Sequence, residues 1–146
     1  MKSLLKTITI AVAAATFFAA GTAFAERPAN LAGTTWTLQT NREATQLVIT
    51  SQGGPGAPGA ANCRHINGEL GTPPPTILIR GWYCPSTGRI HFVHMNLSND
   101  NTVRVFTGNV SDDLSGQTLY MAGTMTVLAI AFGDLGEYNF SATEIP

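Results

Sequence analysis

The chain has 146 residues, 44% hydrophobic and only 12% charged, which is enough for one folded core and too apolar for a disordered segment. Its formal net charge is −1 with no run of like charge, which excludes the basic field that a nucleic-acid or anionic-membrane partner needs. The 15 glycines and 8 prolines cluster instead of repeating, so a collagen-like chain is excluded too.

The first segment reads as an export signal. Lys2 and Lys6 form a basic start, Leu4 to Phe18 is apolar, and Ala23-Phe24-Ala25 supplies a small-x-small cleavage site. Residues 1–25 are therefore expected to be a signal peptide, with Glu26 opening a single mature domain, 26–146. A membrane anchor is the competing reading, but the apolar run is short and ends in the cleavage pattern. The expected location is periplasmic or secreted. Without the leader no lysine remains, and the arginines 27, 42, 64, 80, 89 and 104 face nine acids. The two cysteines, Cys63 and Cys84, both lie in the mature part, and an oxidising compartment favours pairing them. The chain-entropy model gives such a cross-link about 3 kcal/mol.

No helical period stands out. Short β-rich stretches alternate with turn residues, and the pattern predicts eight strands. They run Thr34 to Thr40, Gln46 to Ser51, Asn62 to Leu70, Thr76 to Cys84, Arg89 to Leu97, Thr102 to Val110, Leu119 to Phe132 and Tyr138 to Ile145. Trp36 with Leu38, and Leu47 with Ile49, mark inward faces. Gly53 to Gly59 reads as a loop, Gly71 to Pro75 as a breaker, and Pro85-Ser86-Thr87-Gly88 as a tight hairpin. Ser98 to Asn101, Ser111 to Gly116 and Gly133 to Gly136 read as further turns. The expected fold is all-β, an eight-stranded antiparallel up-and-down barrel, with a sandwich as its rival.

The seventh stretch is apolar on both faces. Leu119, Met121, Met125, Val127 and Ala129 share one; Tyr120, Ala122, Leu128, Ile130 and Phe132 share the other. In a single-layer barrel the outer set needs a cover, most simply a second copy, so a homodimer or homotetramer is expected. A helix packed on the sheet is the alternative.

Catalytic and metal chemistry find no support. His91 and His94 lie three residues apart, which puts them on opposite faces of a strand, and His65 stands alone. There is no nucleophile elbow, and Asp112-Asp113 falls in a turn signal. No catalytic residue, metal or cofactor is expected. What remains is aromatic lining spread over the strands, suited either to a filled core or to a lumen holding one small molecule.

Four segments resemble the avidin family. Leu31-Ala32-Gly33-Thr34-Thr35-Trp36 resembles its Leu-x-Gly-x-Trp opening, with one extra residue. Val105-Phe106-Thr107-Gly108-Asn109 is similar to the sixth-strand motif, and Gly123 to Leu128 with Gly136-Glu137-Tyr138 to the seventh strand and its following loop. The resemblance implies a non-enzymatic exported barrel that assembles with itself and takes biotin or another small apolar molecule. It carries ligand contacts onto Trp36, Leu38, Met95, Arg104, Phe106, Thr126 and Tyr138. Leu38 and Arg42 stand where the family has polar partners for the ureido oxygen, and Thr126 where it has a tryptophan wall, so weak or altered biotin binding is implied. The opening also resembles that of periplasmic calycin-type inhibitors of secreted metalloproteases, in which Glu26 to Asn30 would be the inserting arm.

Overall fold

The computed structural model describes residues 27–55, 62–71, 77–96, 101–113 and 116–146. The segment read as a signal peptide lies outside them, as do parts of the expected loops at 53–59, 71–75 and 98–101. Eight strands follow one another: β1 (Thr34–Thr40), β2 (Ala44–Pro55), β3 (Arg64–Leu70), β4 (Ile77–Cys84), β5 (Arg89–Asn96), β6 (Thr102–Asp112), β7 (Leu119–Ala129) and β8 (Gly133–Ile145). Each pairs antiparallel with its sequence neighbours, and β1 also pairs with β8, which closes the barrel. Closure leaves no strand edge exposed to pair with another chain. The barrel expected from the sequence is the one observed, with β7 a strand throughout.

Alternation explains the core. On β1, Trp36 and Leu38 are buried while Thr35, Thr37 and Gln39 face away from the lumen. The same alternation sends Ile66, Leu70, Ile79, Tyr83, Ile90, Phe92, Phe106, Val110, Met121, Met125, Phe140 and Ala142 into the lumen. Phe92 stacks on Phe106 with centroids 4.5 Å apart, and Phe140 meets Phe106 edge-on at 5.4 Å. This aromatic plug fills mid-barrel, and each fully buried ring stabilises by about 1.5–3 kcal/mol. Gly81 sits beside it, where a Cβ would land on the His91 carbonyl of β5.

Several strand ends differ from expectation. The strand β2 runs on through Gly53 to Pro55, opposite His65 and Arg64, by way of register shifts between Ile49 and Ser51 and between Gly53 and Pro55. Glycine tolerates such bulges, and pairing with β3 outweighs its low strand propensity. The turn expected at 133–136 belongs to β8, and Ile130 and Phe132 lie in the turn after β7 instead of on its outer face. The glycines at 133 and 136 adopt φ values of 77° and 122°, which supply the reversal and a bulge without ending the pairing.

Cys63 and Cys84 form a disulfide that ties the start of β3 to the end of β4, and both are buried. At that end the chain stoppers its own barrel. Tyr83 donates its hydroxyl to the Pro28 carbonyl at 2.7 Å, and Arg27 donates to the Ser86 carbonyl at 2.8 Å. Gln52 accepts from the Leu31 amide at 2.9 Å and donates to the Ala29 carbonyl at 3.0 Å. Leu31 is thereby fully buried, and the Trp36 indole donates to Thr34 Oγ1 at 2.8 Å just inside it.

Candidate functional site

The hairpins β1–β2, β3–β4, β5–β6 and β7–β8 all leave the barrel at the end opposite this stopper. There a cavity of about 330 Å³ opens, at the lower end of the range for small-molecule pockets. Met125, Val127, Leu135 and Tyr138 give it apolar and aromatic walls; Thr40, Arg42, Glu43, Thr102 and Arg104 give it a polar rim.

Local structure explains each placement. Met125 and Val127 are inward residues of β7, and Met125 pairs with Tyr138 across to β8. Leu135 is the extra residue of the bulge between Val127/Gly136 and Leu128/Asp134, and such a bulge re-aims a side chain, here to the mouth. The Asp134 carboxylate caps this bulge by accepting from the Gly136 amide at 2.8 Å, and Tyr138 donates to the Leu135 carbonyl at 3.3 Å.

The β1–β2 hairpin is held by Thr40. Its amide donates to the Glu43 carbonyl at 2.9 Å, and its hydroxyl accepts from the Arg42 and Glu43 amides at 3.3 and 3.2 Å. That fixes two charges over the mouth. The Arg42 guanidinium lies 5.0 Å above the Tyr138 ring, a cation–π contact. The Glu43 carboxylate accepts from Arg104, which reaches it from β6 on another part of the barrel wall. Arg104 occupies an inward position, opposite Val127 on one side and the buried His94 on the other. An arginine in that row is tolerable because it lies at the rim, with its side chain 23% exposed and its charge paired.

The residues named from sequence separate into groups. Arg104 and Tyr138 stand at the cavity. Trp36, Leu38 and Phe106 are buried in the packed lumen below it, with Trp36 near the stoppered end. Thr126 pairs with Val105 and Glu137 on the outer face, so the lumen positions on β7 are its neighbours Met125 and Val127. Met95 pairs with Val103 in β5, and its side chain lies outside the described residues. Glu43, Thr40, Thr102 and Leu135 were not anticipated. Strand parity alone could have brought in Thr102, while the hairpin residues carry no motif.

His91 and His94 do face opposite ways: His94 is buried inside, while His91 stacks on Trp82 outside, with centroids 5.5 Å apart. Partial burial holds the His91 imidazole below its ordinary range, and its Nδ1 shares a 3.0 Å hydrogen bond with the Thr107 hydroxyl. Among the described residues, no group of three or more His, Cys, Asp or Glu side chains gathers into a metal-binding cluster.

The closed eight-stranded antiparallel barrel, with its strands in sequence order, matches an avidin-like fold. The chain is similar to a solved structure of apo shwanavidin, with a TM-score of 0.60 over 80% of this chain and 96% of that one, at 12% identity. At that identity the likeness is one of fold. No protein-family model and no curated protein sequence matches the chain.

Proposed function

We propose that the protein is an exported, non-enzymatic barrel that binds one small, largely apolar molecule at its mouth. The observation that carries this reading is the cavity of about 330 Å³ with apolar walls and a charged rim, at the open end of a barrel sealed at the other. The resemblance to avidins makes biotin the named candidate. The leader pattern and the disulfide support export. A homodimer or homotetramer is supported by Leu128, exposed on β7, and by Ile130 and Phe132, exposed in the turn after it. Light scattering should then give a multiple of the mature mass, and a clean monomer would remove this part of the reading.

Titration calorimetry with biotin, alongside thermal melts, tests the binding itself. A bound molecule at a hundred times its Kd stabilises by about 2.7 kcal/mol. Trp36 lies in the lumen below the cavity and Trp82 on the outer wall, so heat and melting temperature are better reporters than tryptophan fluorescence. Weak biotin binding is expected, since each lost hydrogen bond to a buried polar group costs about 1–3 kcal/mol. Sub-nanomolar binding would show that the avidin contacts map onto other residues of this chain. No biotin binding, and no apolar ligand in protein from its native source, would favour an interaction role. The inhibitor alternative has less behind it, because residues 27, 28 and 29 are hydrogen-bonded to the barrel's own sealed end.

A further inference from the structure

The charges at the mouth are arranged in a way that selects a ligand class. Two arginines and one glutamate line the cavity, which leaves one positive charge in excess. The Glu43 carboxylate comes from the β1–β2 hairpin and meets Arg104 of β6, bridging segments 61 residues apart in sequence. Glu43 is the more exposed partner, at 47% against 23% for Arg104. The inner partner is fixed on a strand, in register with His94 and Val127, while the outer one sits on a short hairpin. Of the two, the carboxylate is the one that can be exchanged.

We propose that the cavity takes a small apolar molecule carrying a carboxylate, and that Glu43 holds on Arg104 the place which the ligand's carboxylate takes. This rests on the reading of the mouth as a small-molecule site. The ligand's apolar body lies against Met125, Val127 and Tyr138, and its acid end faces Arg104. A planar guanidinium binds a carboxylate through paired hydrogen bonds, so one carboxylate can replace another with little change in geometry. Entry is thereby selective. A neutral molecule of the same shape must leave the ion pair in its way or separate it without offering a carboxylate in exchange, which forfeits the attraction between Glu43 and Arg104. Arg42, held over Tyr138, supplies the second positive charge, so that two arginines balance Glu43 and the ligand's carboxylate after the exchange.

The test uses matched probes differing only in charge: phenylbutyrate with phenylbutyramide, and octanoate with octanamide. Binding is measured by calorimetry on the wild type, Glu43→Gln and Arg104→Gln, and thermal melts establish that each is folded. Each acid should bind about tenfold or more tighter than its amide, the scale of a charge-assisted hydrogen bond. In Glu43→Gln the acid-to-amide ratio should rise about three- to fivefold, the scale of a part-exposed ion pair. In Arg104→Gln it should fall towards one. If Arg104→Gln does not fold, the rise in Glu43→Gln decides alone, since that exposed hairpin substitution leaves the core intact. Acids and amides binding alike would overturn the inference and leave the small-molecule reading standing. A ratio that stays level or falls in Glu43→Gln would overturn the exchange. Failure of all four probes at millimolar concentration would overturn the small-molecule reading, and this inference with it.

Discussion

Replacing Tyr83 by phenylalanine isolates one hydrogen bond between the barrel and its stopper. The ring is fully buried, and its hydroxyl donates to the Pro28 carbonyl at 2.7 Å. Phenylalanine keeps the packing and deletes the donor. The net loss is about 1–2 kcal/mol: a hydrogen bond of about 1 kcal/mol, plus part of the cost of a carbonyl left half-buried without it. For a domain of this size the melting temperature should fall by roughly 5 °C. A second signature is independent of that magnitude. Burial pushes the Tyr83 phenol up to about 12 from 10.0, against an opposing pull from Arg27. Below pH 10 the phenol is neutral in both folded and unfolded chains, and its contribution is complete. Above pH 10 the unfolded chain releases a proton that the folded chain retains, so the contribution is lost as pH rises through 12. Urea denaturation of both proteins from pH 8 to 12 should therefore show the wild-type advantage shrinking over the upper two units. Parallel curves, or a melting shift under about one degree, would refute the assignment of Tyr83 as the tie.

Two further outcomes test the core and the cross-link. Phe106→Ala opens the aromatic plug and should cost about 3–5 kcal/mol in urea denaturation, and a loss below about 1 kcal/mol would mean the plug is loosely packed. The double change Cys63→Ser with Cys84→Ser should cost about 3 kcal/mol, and alkylation of the unreduced wild type should add no mass at either cysteine.

The barrel was legible because every strand but a few ends obeys local rules. Alternation at Trp36/Leu38 and along Met121–Val127 tells inside from outside, and turn residues divide the strands. The two ends that overrun furthest carry glycine: at Gly53 and Gly133 the neighbouring strand pairs with the chain despite its low propensity. The site was less legible for a different reason. A shift of one residue moves a side chain from lumen to outer wall, and the avidin-like register put Thr126 in the place that Met125 and Val127 share. Glu43 could not be found by spacing at all, because its partner lies on β6 and only closure of the sheet brings the two together.

The closure of β1 against β8 has a practical consequence. Thr35 pairs with Ile145, so the first strand begins and the last one ends side by side, on the rim far from the cavity. Both ends of the folded chain therefore offer handles on one pole. A surface linker, a dye or a fused enzyme attached at either end points away from the entrance, and a short linker joining the two ends would allow new ends to be cut in a hairpin. The barrel can thus be held by its base as an oriented cup, with every copy presenting its opening to the solution.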